Sequence, residues 1–177
     1  MNASLLSSLP GSRFKLSVAI VVFGVLLDAL SKQAARMYLS QHDPVQVLSG
    51  FRLSLGYNPG IAFGIFPVDS KAEFYTLVLG QFVVIAALSF FMARSSDLWQ
   101  KASLAAIVSG AAGNLIDRTS HGAVTDFLDL YAGDWHWPTF NLADVFIVTG
   151  VAALVLRDFL IPARLRTETN NGESQCR

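Results

Sequence analysis

Four apolar runs divide this chain: Leu16 to Leu30, Phe74 to Ala93, Ala102 to Ile116 and Leu142 to Leu156. At about 1.5 Å of rise per helical residue, each is long enough to cross most or all of a hydrocarbon layer about 30 Å thick. The expected fold is therefore an all-α polytopic membrane protein with four transmembrane helices, at about 16–36, 74–93, 102–117 and 142–161. The third run is built from small residues. Ala106 and Gly110, then Ser109 and Gly113, fall at the four-residue spacing that lets helices approach closely, which marks it as the central, packed helix.

With 177 residues, 53% of them hydrophobic and only 15% charged, the chain has the length of one domain and departs from the soluble average. It reads as a single membrane-embedded domain over residues 1–177, with a polar tail, about 165–177, expected to be disordered. Net charge is zero, so nothing suggests a nucleic-acid surface. Cys176, the single cysteine, reads as an incidental thiol near the C-terminus.

Basic residues choose the orientation. Arg13 and Lys15 precede the first run, Arg94 and Lys101 bracket the second connection, and Arg157, Arg164 and Arg166 follow the last run. By the positive-inside tendency both termini are cytoplasmic, although Lys32, Arg36, Arg52 and Lys71 weaken the bias. Asp28 and Lys32 stand where a cleaved leader would need small residues, so the first run is expected to be retained. Between the first two runs, Phe51, Leu53, Leu55 and Tyr57 alternate with Arg52, Ser54, Gly56 and Asn58, the period of a half-buried strand. A small extracytoplasmic β-sheet is expected at about 45–66, between the first and second helices, with its greasy face on the bilayer.

Carboxylates close to apolar runs carry the chemistry. An Asp at the centre of a membrane helix costs roughly 2.5 to 3.5 kcal/mol, so such groups are usually buried, paired and functional. Asp126 and Asp144 each lie beside an apolar run, an arrangement that could bring two carboxyls together at the membrane surface. Each has a plainer explanation: Asp126 in an alternating stretch could face water, and Asp144 could occupy the acidic first turn of a helix capped by Asn141. Asp28 and Lys32, four apart, could be a structural ion pair. Asn58 and Gly60 could be turn chemistry alone, whereas Asn114, at membrane depth, needs partners for its amide. Asp117 and Arg118 could mark the interface, and His121 and His136 read as surface histidines. No serine or cysteine nucleophile motif and no nucleotide loop is present, which leaves acid–base chemistry on water.

Five blocks in order carry a resemblance: Asp28-Ala-Leu-Ser-Lys32, Asn58-Pro-Gly-Ile-Ala-Phe-Gly64, Gly113-Asn-Leu-Ile-Asp-Arg118, Val124-Thr-Asp-Phe-Leu-Asp129 and Phe140-Asn-Leu-Ala-Asp144. Together they resemble the lipoprotein signal peptidase family, also called prolipoprotein signal peptidase or signal peptidase II. The likeness runs from Asp28 to about Val148; it departs at Ala29, where Gln is commoner, and at Ser109-Gly110, where paired glycines are frequent.

The resemblance implies an aspartic endopeptidase of the bacterial inner membrane. It would remove the signal peptide from diacylglyceryl-modified prolipoproteins, cutting just before the lipidated cysteine, with its active site at the extracytoplasmic face. The catalytic pair would be Asp126 and Asp144, and Asp28, Lys32, Asn58, Gly60, Asn114, Arg118 and Asn141 would hold substrate or support the pair. No metal or cofactor is expected. The implied partners are lipid-modified prolipoproteins and membrane lipids, and the chain is expected to act as a monomer. A competing reading makes it a small proton-relay or transporter protein using Asp28, Asp126 and Asp144, against which all three fall at predicted span ends on one side.

Overall fold

The computed structural model describes residues 10–41, 43–60 and 70–160. Among these residues the chain runs α1 (Pro10–Tyr38), β1 (Val45–Leu48), β2 (Phe51–Asn58), α2 (Lys71–Arg94), α3 (Leu98–His121), β3 (Val124–Ala132), β4 (Trp135–His136) and α4 (Leu142–Leu160). Each of the four apolar runs lies in a helix. Local chemistry marks the helix ends: Ser70 and Glu73 close a capping box on α2, and Asp97 caps α3. Gly122, at φ 79°, takes the left-handed conformation that ends α3 and turns the chain into β3.

Helix α3 packs against α1, α2 and α4, and it holds most of the buried residues. The bundle is apolar on its outside. Along α1 the buried positions are Ser17, Gly24, Asp28, Lys32 and Ala35, whereas Val22, Phe23, Leu26 and Leu30 are exposed. Helix α2 buries only Met92 and exposes Leu79, Phe82, Val83, Phe90 and Phe91. Such a continuous apolar exterior is foreign to a water-soluble monomer. By length and composition, Arg13–Tyr38 and Lys71–Arg94 can cross a membrane. Helix α3 is less apolar, carrying the polar residues that the other helices surround, whereas α4 is apolar along its middle but has Asp144 near one end and Arg157 near the other.

Small residues set the spacing of the helices, as the third run predicted. A Cβ on Gly110 would collide with the backbone oxygen of Ala143 on α4, and one on Gly113 would lie 2.5 Å from Asp28 Oδ2 on α1.

The sheet differs from the expectation. Its four strands are antiparallel in the order β1-β2-β3-β4, so half of it comes from the connection between α3 and α4. The fold is thus helical with a small sheet drawn from two connections, not all-α with a sheet confined to about 45–66. Residues 61–66 of that span, and the tail at 165–177, lie outside the described residues. Strand β2 also does not keep one greasy face. A bulge between Leu53 and Gly56 sets Leu53 opposite Leu128 and Gly56 opposite Asp126, and Tyr57 is exposed while Phe51, Leu53 and Leu55 are half-buried. An extra residue at a bulge interrupts the alternation of sides, which a strict period of two cannot anticipate.

Candidate active site

Two asparagine amides bridge the two aspartates. Asn141 Nδ2 donates to Asp126 Oδ1 at 2.6 Å and to Asn114 Oδ1 at 3.2 Å; Asn114 Nδ2 donates to Asp144 Oδ1 at 2.9 Å. Strand β3 presents Asp126, α3 presents Asn114, and the first turn of α4 presents Asp144. The plainer reading of Asp144 also holds. Asn141 and Asp144 exchange backbone-to-side-chain bonds of 3.1 Å each, so one carboxylate oxygen caps α4 while the other takes the Asn114 amide. Asp126 does not face water; it is 4% exposed.

Behind the pair stands α1. Lys32 Nζ donates to Asn114 Oδ1 at 2.7 Å and pairs with Asp28 at 2.8 Å, both side chains being fully buried. Because Lys32 can only donate, it fixes which end of the Asn114 amide faces it and turns Nδ2 toward Asp144. Asp28 Oδ1 accepts from Ala143 N at 2.9 Å, tying α1 to the first turn of α4. The Asp28–Lys32 ion pair of the plainer reading is present, and through Asn114 it also fixes the amides of the site.

Arg118 closes another side. It donates to Gln81 Oε1 at 2.9 Å and to the Gly60 carbonyl at 2.5 Å, and Asn58 Oδ1 accepts from Gly60 N at 3.1 Å in a side-chain turn. Gln81, the one strongly polar residue of the second apolar run, thus serves to hold Arg118. A cleft of about 460 Å³ opens here, lined by Asn58, Asn114, Arg118, Asp126 and Asp144 among apolar side chains such as Val124, Phe140, Val145 and Val148. All nine expected site residues converge on this cleft or on the layer behind it.

Burial, and then the charge of Asp144, push the Asp126 carboxyl from its ordinary value near 3.8 up to about 7; hydrogen bonds from Asn141 and Asn58 and the charge of Lys32 pull the other way. Among the described residues, no group of three or more His, Cys, Asp or Glu side chains is placed to share a metal.

Two arrangements escaped the sequence. Asp117 joins several elements: it accepts from Arg36 at 2.9 Å and from Thr125 N at 2.7 Å, and lies 2.9 Å from His121. Asp129 is buried between Arg52, at 2.6 Å, and His136, at 3.0 Å. Burial alone would raise the Asp129 carboxyl, but the bonds from His136 and Arg52 outweigh it and hold the group below its usual range. Both histidines are accessible, as expected, yet each is engaged by a buried carboxylate. The i, i+4 spacing of Asp117 and His121 was a readable signal; the contact of His136 with Asp129 depends on the β3–β4 hairpin, where Tyr131 pairs with His136.

A helical bundle carrying a small sheet over two carboxylates at a greasy cleft has the form of a membrane enzyme. Two solved structures, each described as a bacterial membrane enzyme, share the fold: one with TM-score 0.75 at 24% identity over 85% of this chain and 91% of its own, the other with 0.72 at 25% over 84% and 94%. The sequence profile described as signal peptidase (SPase) II matches residues 20–160. Among curated relatives, the lipoprotein signal peptidase of Anaplasma phagocytophilum is 37% identical over 155 residues, 86% of this chain and 96% of its own length. The lipoprotein signal peptidase of Yersinia pestis is 38% identical over 159 residues, 88% and 92%. This chain belongs to the signal peptidase II family, and is a peptidase.

Proposed function

We propose that Asp126 and Asp144 are the catalytic dyad with which this peptidase removes the signal peptide from prolipoproteins, cutting just before the lipidated cysteine of a diacylglyceryl-modified precursor. The observation that carries the assignment is the amide bridge from Asp126 through Asn141 and Asn114 to Asp144 at the wall of an apolar cleft.

The surroundings divide the work. Asp144 Oδ1 and Oδ2 accept from Asn114 Nδ2 and Asn141 N in the first turn of α4, so donors hold both oxygens of the carboxylate that serves as the base. Asp126, buried and facing that charge, keeps its proton up to about pH 7. Ionised Asp144 takes a proton from water as the water oxygen attacks the scissile carbonyl carbon, and Asp126 passes its proton to the carbonyl oxygen. The resulting diol collapses: Asp126 recovers its proton, Asp144 delivers the other to the departing nitrogen, and the C–N bond breaks. On this reading Asn58 and Arg118, which line the cleft, and Gly60, which both of them bond, hold substrate backbone, while Asp28, Lys32, Asn114 and Asn141 support the dyad.

On this reading residues 1–177 form one membrane-embedded domain in the bacterial inner membrane. All four helices cross, α3 and α4 spared from lipid along their polar sides by their neighbours. Arg13 donates to the Ser96 carbonyl and Arg157 pairs with Asp97, which gathers the basic residues at the cytoplasmic end, away from the sheet. The enzyme acts as a monomer on substrates that reach the cleft within the bilayer.

The test is cleavage of a diacylglyceryl-modified prolipoprotein by purified protein across pH, with the new N-terminus sequenced. The predicted kcat/KM profile is bell-shaped and falls as pH rises through about 7, where Asp126 loses its proton. A flat profile, or a cut elsewhere than before the cysteine, contradicts the proposal.

A further inference from the structure

Helix α1 reaches both halves of the dyad, and it does so through the residue preceding each aspartate. Asp28, Lys32 and Arg36 recur every four residues and share one face of the helix. Asp28 binds the backbone of Ala143, next to Asp144, at 2.9 Å. Lys32, in the middle, binds Asn114 at 2.7 Å, and Asn114 in turn binds Asp144. Arg36 engages the other half: its NH1 donates to Thr125 Oγ1 at 2.8 Å and to Asp117 Oδ1 at 2.9 Å, while Thr125 N donates to Asp117 Oδ2 at 2.7 Å. Thr125 is fully buried and immediately precedes Asp126.

We propose that Arg36 is a positioning residue for Asp126: with Asp117 it clamps the backbone and side chain of Thr125, and so sets where β3 presents the next carboxylate relative to Asp144. The inference rests on the dyad assigned above. Strand β3 needs such a clamp. Its partner β2 is bulged between Leu53 and Gly56, opposite Phe127, so the ladder is irregular beside Asp126. A displacement of about 1 Å in a catalytic group can cost on the order of a hundredfold in rate, so a hold on the adjacent peptide governs turnover without touching substrate. Among the described residues, the other groups within ion-pair reach of this clamp are Lys32, at 3.9 Å from Asp117, and His121, also on Asp117, while the charges of Asp28 and Arg118 act on Asp117 from farther off. Lys32 is committed to Asp28 and Asn114. His121 reaches Asp117 and not Thr125, which leaves Arg36 as the cation that bridges carboxylate and strand.

The experiment measures kcat and KM on a lipid-modified prolipoprotein for wild type, Arg36→Gln, Arg36→Lys, Thr125→Val, the double variant Arg36→Gln/Thr125→Val and Asp126→Asn, each normalised to folded protein by its melting curve in detergent. Expected is a fall in kcat of about tenfold or more for Arg36→Gln at unchanged KM. A smaller fall is expected for Thr125→Val, and substantial rescue in Arg36→Lys, whose ammonium can still donate to both oxygens. The double variant should be no worse than Arg36→Gln, because the Arg36–Thr125 bond that Thr125→Val removes is already lost in Arg36→Gln. Should Arg36→Gln fail to fold, Thr125→Val and Arg36→Lys decide alone. Wild-type kcat in Arg36→Gln and Thr125→Val, with Asp126→Asn inactive, overturns the positioning role and leaves the dyad standing. Full activity in Asp126→Asn overturns both.

Discussion

Burial beside the charge of Asp144 makes the ionised form of Asp126 costly in the folded chain. Its carboxyl ionises near 7 when folded and near 3.8 when free, so between those values the folded state binds a proton that the unfolded chain has lost. Stability therefore declines as pH rises through that window and levels off above about 7. Asp126→Asn, which keeps the shape and removes the charge, should melt higher than wild type at pH 8, with the gap closing toward pH 4. Detergent-phase thermal unfolding at several pH values reads this directly, and a pH-independent gap would contradict it. The residues of this site were legible because the short blocks containing them resemble a known family. The partners that hold them were not: Arg36 meets Thr125 across 89 positions, and Arg52 meets Asp129 across 77, distances over which no local spacing speaks.

At the scale of elements, the close contacts of α3 set where α1 and the first turn of α4, with Asp144, lie. A Cβ on Gly110 meets the backbone of Ala143, which cannot swing aside as a side-chain tip would. Gly110→Ala should push away the first turn of α4, destabilise the protein by about 1 to 3 kcal/mol and reduce activity more than the lost stability explains. Gly80→Ala on α2, where nothing lies within 4 Å, is the matched control, expected to stay within about 1 kcal/mol of wild type or above it. Activity per folded molecule in the two variants separates the cases. The small-residue spacing of the third run announced this packing. The sheet was half-readable: alternation located β2, but β3 hid behind a stretch whose aspartates could as well have faced water, and only pairing with β2 made it a strand.

The whole molecule puts polar groups inside and apolar ones outside. Asp28, Lys32, Asn114, Asp117, Arg118 and Asn141 are buried, whereas Phe23, Leu30, Phe82 and Phe90 are exposed. A bilayer covers such an exterior, and most of the interior polar groups pair with one another, Arg118 Nε being an exception. Apolar runs in the sequence showed how many helices to expect, and the small residues of the third run marked α3 as the central one; what they did not show is which polar side chains of α3 its neighbours would shelter, because a helix ringed by neighbours is free of the demand for apolar residues. Fusing a reporter active only in the cytoplasm to the C-terminus should give signal, and placing it after Asp134 in the β3–β4 turn should not; the reverse pattern would overturn the orientation. The central claim, that Asp126 and Asp144 perform the cleavage together, is tested most directly by presenting diacylglyceryl-modified prolipoprotein to purified wild type, Asp126→Asn and Asp144→Asn. Cleavage by wild type and none by either folded variant is the predicted result. Cleavage surviving in either variant would contradict the dyad.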